Sequence, residues 1–404
     1  MHISTTNHGG AGKIAEMMHR KSLTEGHQSI LLVRGDYFKQ DEGVIPLYSR
    51  THHRLKKLSG FFYKTHKTVP KYYFYNINEQ KNLVDPNFII KRIGMTPDAI
   101  IVYWISRFLN FESLLRLQEY SRAKIYFSLT DMALYTGGCH YAWSCEGFKN
   151  DCSHCPALPE PLTDRAHKNL MAKKRALDKM DHKVIATKGQ SIKMSKSSSL
   201  FGKSDHLANL YKIGKGSINR SQKKARTHFG LPLNKKIWLI GTERLSDPRK
   251  GIDILIESMR NLVNILSPTD LPMLMIIGNK RVSWLDDVQL PYKFLGRLDF
   301  DDELPLAFSA ADAFLSPSVM DTGPFMVNLS IYYSCPVVSF PVGVAQYLIG
   351  EMGCGLLAEQ TNAKSYTEAL HRLALLSDQQ FQHLRQACMQ VANQELRWME
   401  NTLT

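Results

Sequence analysis

Apolar and polar positions along the chain mark out two successive series of short buried strands, each strand followed by a stretch of helical period. The first series starts with a strand tail at His2–Thr5, passes through NHGGAG, and predicts a helix from Lys13 to about Glu25. Strands follow at Ile30–Val33, at Ala99–Ile105 as an unbroken apolar run of the kind a doubly covered sheet needs, and at Lys124–Leu129. A helix rich in Lys and Arg at Arg165–Met180 and the strand Lys183–Thr187 close this series. The second series opens at Ile237–Ile240. From Gly251 onward Ile252, Leu255, Ile256, Met259, Leu262, Val263 and Leu266 keep the spacing of one helical face.

Strands at Met273–Gly278 and Tyr292–Leu295 come next, then a short helix at Asp302–Ala310 and a buried strand at Asp312–Ser316. The loop MDTGP leads to Pro324, a residue suited to the first position of a helix because it has no N–H to leave orphaned. Pro336 to Phe340 and Gly355 to Ala358 read as further strands, and residues 362–404 are helical in pattern. Strand, loop, helix, strand is a βαβ unit. Its loop lies at the carboxyl end of a parallel strand, where N–H groups and the positive end of a helix dipole favour anionic ligands.

At 404 residues the chain is longer than one ordinary core, so two domains of roughly 180 to 210 residues are expected. The boundaries read as 1–212, then 213–385 with a hinge near LYKIGKGSIN, and a terminal segment 386–404 that crosses back to the first domain. No apolar run approaches the roughly 18 residues of a spanning helix, and the start MHISTTNHGGAGK lacks the apolar core of a signal peptide. A cytoplasmic protein is expected.

Charge changes the picture. Lys and Arg number 51 against 37 Asp and Glu, a net of +14, which favours anionic partners. Basic residues interleaved with Phe61, Phe62 and Tyr63 over residues 52–71 suit either a solvated surface or the acidic face of a membrane. Nucleic acid is not expected, since none of the usual recognition modules is present. In GTERLSDPRKG, Arg244 and Lys250 stand six residues apart at a strand end and a helix start, a spacing that can close on a diphosphate from two sides. Arg249 between them reads as a surface residue.

Four of the seven cysteines, Cys139, Cys145, Cys152 and Cys155, fall within TGGCHYAWSCEGFKNDCSHCP. In a reducing compartment such clustering points to metal before disulfide, and four thiolates suit tetrahedral zinc in a structural role. Buried free thiols and a redox pair at Cys152 and Cys155 are the other readings.

The words AADAFLSPS, an acidic residue in a Gly-Pro loop, and a helix ending in PVV resemble the donor-site signature of family 4 glycosyltransferases of GT-B fold. Within that family the chain is most similar to bacterial enzymes of lipopolysaccharide, capsule or exopolysaccharide synthesis, including a colanic-acid type with the same TGGCH and CxxC insertion at 136–159. The resemblance implies two doubly wound Rossmann-like α/β domains facing a cleft, the first for acceptor and the second for a nucleotide-sugar donor.

It also implies site residues. Asp321 would touch the donor sugar, with Gly323, Pro324 and Phe325 in the same loop. The ribose carboxylate of the family falls at Leu329, leaving Asn328 as a substitute. Gly9 and Gly10 would let backbone approach acceptor and phosphates, Gly296 and Arg297 would meet the base, and Gly343 would close under the phosphates. Asp131 stands where the family carries His-Asp, with Thr130 in the place of the His and Ile218 in the place of a hinge Asp.

The implied chemistry is retaining glycosyl transfer to a saccharide, lipid-linked at the inner membrane face, with Arg244 and Lys250 steadying the leaving diphosphate. No catalytic metal or other cofactor is expected. The off-pattern Thr130, Ile218 and Leu329 keep a catalytically silent transferase-like subunit open as an alternative. A nucleotide-sugar epimerase on the same fold is a second.

Overall fold

A computed structural model describes residues 1–35, 42–48, 68–75, 79, 83–209, 221–242, 244–279 and 290–394. The predicted hinge 210–219, most of the basic aromatic stretch and the last ten residues lie outside the described residues.

The chain divides into two units, one of residues 1–186 and 191–208, the other of residues 187–190 and 209–404. In the first, strands β1 (His2–Ile3), β2 (Leu31–Gly35), β3 (Val44–Tyr48), β4 (Ala99–Val102), β5 (Lys124–Ser128), β6 (His182–Thr187) and β7 (His206–Asn209) form one sheet. Its order is β3-β2-β1-β4-β5-β6-β7. In the second, β8 (Ile237–Gly241), β9 (Met273–Ile277), β10 (Tyr292–Gly296), β11 (Ala313–Ser316), β12 (Val337–Ser339) and β13 (Gly355–Leu357) pair in parallel, in the order β10-β9-β8-β11-β12-β13. Each unit thus repeats the doubly wound 3-2-1-4-5-6 arrangement of a Rossmann-like domain, the first with one strand added at its edge.

Burial explains why these runs are strands. β11 is buried at all four positions and β8 at Ile237, Trp238, Leu239 and Ile240, as sheets covered by helices on both faces require. The helix Ile252–Ile265 covers one face of the second sheet through Ile252, Leu255, Met259 and Leu262, the face predicted from spacing.

Several sequence expectations need correction. The first helix spans Gly9–Thr24, so Gly9 and Gly10 belong to its first turn rather than to a loop before Lys13. β4 is regular only to Val102, although Tyr103 N–H still donates to the Ile3 carbonyl at 3.0 Å and Tyr103 and Ile105 remain buried. Lys183–Thr187 is not the last strand of its series, because β7 follows. Pro324 caps the helix Phe325–Tyr332 instead of opening it, a shift of one residue. The terminal helical stretch is two helices, Ala363–Ala374 and Asp378–Gln394, and Cys388 of the latter lies against the Cys354 carbonyl in the second unit. Among the described residues no helix is long and apolar enough to cross a membrane.

Candidate active site

In a doubly wound sheet the crevice for ligands opens where the strand order reverses. In the second unit that point lies between β8 and β11, which pair with Ala313 opposite Trp238 and Leu315 opposite Ile240. The loops leaving these two strands carry Lys250 and Asp321.

Local sequence fixes both. After β8, Asp247 accepts from Arg249 N–H at 3.0 Å and caps a single turn, Pro248–Lys250. Gly251 then takes the left-handed conformation, φ 60°, that ends the turn and starts the long helix. A Cβ there would stand 2.0 Å from the Pro317 carbonyl oxygen, so the loop after β11 presses directly on it. Val319 N–H donates to the Arg249 carbonyl at 2.8 Å and ties the two loops together.

Lys250 Nζ consequently reaches Asp321 Oδ2 at 2.7 Å. The other carboxylate oxygen accepts from Thr322 N–H at 2.9 Å and Gly323 N–H at 3.4 Å. Burial pushes the Asp321 carboxyl up, but Lys250, Arg249 and the hydrogen bonds outweigh it and hold the group below its ordinary value. The site therefore presents a fixed carboxylate, a partly exposed ammonium and the start of helix Phe325–Tyr332, whose first N–H groups have no intrahelical partners. Such a set can grip a sugar hydroxyl and a phosphate group at once.

Other predicted residues fall around this pair. Gly343, φ 61°, lies so near the same loop that a Cβ would meet Pro324 Cδ at 2.8 Å. Asn328 is buried, its amide donating to the Pro324 carbonyl at 3.3 Å, and Leu329 is buried as well. Phe325 stacks on Phe300 with ring centres 5.8 Å apart. Arg244 lies exposed on the loop after β8, its carbonyl accepting from Asp247 N–H at 3.2 Å. Gly296 has φ 74° at the end of β10, and Arg297 beyond it is exposed. Arg249 corrects the surface reading: it is buried, with Nη2 on Asp247 Oδ2 at 2.6 Å.

In the first unit Gly9 has φ 69° and Gly10 faces open space, while Gly12 is the tight position, its Cβ direction 2.6 Å from the Thr6 carbonyl oxygen. Asp131 does more than cap a turn. Its Oδ1 accepts from Ala133 N–H at 2.8 Å, and its Oδ2 meets His140 Nδ1 at 2.7 Å. His140 Nε2 lies 2.9 Å from the Ser106 hydroxyl. A carboxylate only accepts, so Nδ1 carries a hydrogen toward Asp131, and Nε2 is left to pair with the Ser106 hydroxyl.

This buried chain joins the loops after β4 and β5. Lys173 steadies it from below, its ammonium donating to the carbonyls of Ala133 at 2.6 Å and Thr136 at 3.0 Å. Sequence reasoning missed His140 and Ser106. The one available signal was a His nine residues after a strand-end Asp in the same loop.

The four clustered cysteines line one cavity of about 20 Å³ with Tyr72, Phe74 and Phe148. Among the described residues, no group of three or more His, Cys, Asp or Glu is arranged to hold a single metal ion, so the expectation of a preformed zinc site is not met. Nor do the thiols look like a redox pair: burial pushes Cys152 up to about 11 and raises Cys155, whereas a reactive thiol needs a lowered value.

Residues 234–375 match the family model described as glycosyl transferases group 1. No curated protein sequence matches the chain. Among solved structures it is similar to WaaG, a glycosyltransferase involved in lipopolysaccharide biosynthesis, at 14 % identity and a TM-score of 0.61 over 98 % of this chain and 95 % of that one. It is similar also to sucrose-phosphate synthase from Thermosynechococcus elongatus, at 15 % identity and a TM-score of 0.64 over 99 % and 96 %. A third likeness is to Anabaena Alr3699/HepE in complex with UDP-glucose, at 14 % identity and a TM-score of 0.58 over 98 % and 94 %.

At these identities the likenesses establish the fold, which is GT-B, with two Rossmann-like α/β domains. The stretch matched by the family model spans β8 to β13, the strands whose loops carry Lys250 and Asp321.

Proposed function

We propose that the protein is a retaining glycosyltransferase that moves a sugar from a nucleoside-diphosphate sugar to a saccharide acceptor. The observation that carries this reading is the Lys250–Asp321 pair at the switch point of the second sheet. In transfer, the bond from the anomeric carbon to the diphosphate breaks and negative charge grows on the leaving oxygen. Lys250 and the start of helix Phe325–Tyr332 offer positive charge already in place for it, with Arg244 on the same loop as a further cation, in the role a divalent ion plays elsewhere.

Asp321 orients the sugar through its hydroxyls, while Gly343 shapes the floor beneath the phosphates and Gly296, Arg297 and Asn328 serve the nucleoside. Asp131, through His140, is the polar group of the acceptor-side domain. UDP-glucose bound to the similarly folded HepE supports a nucleotide-sugar donor, and the similarity to WaaG supports a part in bacterial surface polysaccharide synthesis. The net charge of +14 fits a lipid-linked acceptor at an anionic membrane face.

Lys250→Ala is expected to weaken nucleoside-diphosphate binding by about 1.5 to 3 kcal/mol, the worth of a charge-assisted hydrogen bond. Titration calorimetry with equal affinities for both proteins would reject the assignment. A thermal-shift panel of nucleotide sugars identifies base and sugar. Stabilisation by a donor without transfer to any saccharide offered would turn the reading to the silent subunit. Sedimentation with anionic vesicles, reversed by salt, is the expected outcome for the membrane contact; retention that ignores ionic strength would remove it.

A further inference from the structure

The strand order of the first sheet reverses between β1 and β4, so its ligand crevice opens onto the loops that leave those two strands. The loop after β4 turns at once. Phe108 N–H donates to the Ile105 carbonyl at 3.0 Å, and Arg107 holds φ 62° within the turn, a conformation for which turns select glycine or asparagine. An arginine kept there against its backbone preference points to a use for its side chain.

That side chain is exposed, and its guanidinium rests 4.8 Å over the ring of Tyr75. From Tyr75 the contacts continue inward: its ring meets His140 edge-on at 4.9 Å, and His140 meets Trp104 edge-on at 5.9 Å. Tyr73 stands edge-on to both Tyr75 and Tyr141, at 6.0 and 5.8 Å. Tyr73, Tyr75, Trp104 and Tyr141 are all half-buried. Rings so placed offer a part-open apolar surface with polar edges, which suits the C–H face of a sugar.

A second cation adjoins. Arg34, near the end of β2, donates from Nη1 to the Arg107 carbonyl at 3.3 Å. Burial, and after it the charge of Arg107, lower its value from that of an ordinary arginine. Two guanidiniums in electrostatic contact repel, and an anion beside them relieves both. The Arg34 Nε and the Trp104 indole N–H are also buried without an acceptor among the described residues. Unmet donors of this kind are what a bound ligand or an ordered water satisfies.

We propose that this face of the first unit binds a saccharide carrying a negative charge, a carboxylate or a phosphate, with the sugar ring on the aromatic side chains and the charge on Arg107 and Arg34. The inference rests on the reading of the protein as a glycosyltransferase whose first unit takes the acceptor, and it narrows that acceptor to an anionic sugar. Arginine suits both halves of the task, because its planar fork pairs with carboxylate or phosphate while its face lies on a ring.

The test titrates the full chain with methyl β-glucoside, methyl β-glucuronide, methyl β-glucoside 6-phosphate and inorganic phosphate, read by saturation-transfer NMR and calorimetry. One of the charged glycosides should bind about tenfold tighter than the neutral one, the usual gain from one charge-assisted pair at a surface, and lose that margin in high salt. Which of the two does so tells carboxylate from phosphate. Arg107→Gly relaxes the turn, so it should melt no lower than wild type while the margin disappears; Arg107→Lys should keep part of it. Equal affinity for all three glycosides, binding of none, a margin that survives in Arg107→Gly, or inorganic phosphate held as tightly as the preferred glycoside overturns the proposal. UDP and ADP titrated into the same samples report on the donor site separately, so normal nucleotide binding beside a failed glycoside experiment counts against this inference alone.

Discussion

The two units share a strand order but treat their switch points differently. In the second, the loops after β8 and β11 meet through an ion pair, Lys250 with Asp321, close to a helix start. In the first, the loops after β1 and β4 are tied by neutral bonds, Thr5 N–H to the Trp104 carbonyl at 2.6 Å and the Thr5 hydroxyl to the Ser106 carbonyl at 3.1 Å. The polar chain Ser106–His140–Asp131 continues from there to the loop after β5. One fold thus carries an ion pair at one switch point and a chain of side-chain hydrogen bonds at the other. The difference lies wholly in loops at the carboxyl ends of the strands, which a common sheet leaves free to vary.

The sharpest way to break this contrast is at Gly251. Its Cβ would strike backbone, the Pro317 carbonyl, so relief by a side-chain rotation is not open. Gly251→Ala is expected to cost about 3 kcal/mol, the upper part of the usual range for overpacking, and to separate Lys250 from Asp321. Denaturant unfolding reads the first effect and loss of donor binding the second; a variant as stable as wild type would mean the loops are not so closely fitted.

His140→Ala tests the first unit. It leaves the buried Asp131 carboxylate and Ser106 hydroxyl without their shared partner, at about 1 to 3 kcal/mol. If the two switch points serve different ligands, transfer should fall while nucleoside-diphosphate affinity stays at its wild-type value. Equal loss of both would merge the two roles.

Gly10→Ala is the smallest effect and the most discriminating for the glycine-rich start. Nothing lies within 4 Å of the added carbon, and alanine suits a helix better by about 1 kcal/mol. A modest gain in melting temperature with activity intact is expected from packing alone. Loss of activity in that more stable variant would restore the close ligand approach read from the sequence.

The central strands were legible because they are continuous apolar runs, and β8 and β11 lie where spacing put them. The strands at the sheet's two edges, β3 and β7, went unread. Edge strands are short and mixed in polarity, and β3 carries Pro46, a residue tolerated where no ladder bond is lost. The helix start was displaced because Gly9, Gly10 and Gly12 are poor helix formers in isolation.

In the site, Lys250 and Asp321 were legible from strand-end and helix-start signals. Arg249 was not, since its burial depends on Asp247 two residues away folding back on it. The pairing of His140 with Asp131 was equally hidden, because an irregular loop imposes no period that brings position 140 to position 131.

The Lys250–Asp321 pair also bears on selectivity. On a chain with so large a surplus of positive charge, an idle ammonium at a helix tip would attract any passing anion. Engaged by its own carboxylate, it is quiet until a guest arrives that can occupy both partners, phosphate for the one and hydroxyl for the other. Stray inorganic anions meet only half of that demand. On the proposed reading, the pair thereby favours an intact sugar nucleotide over its fragments before any chemistry begins.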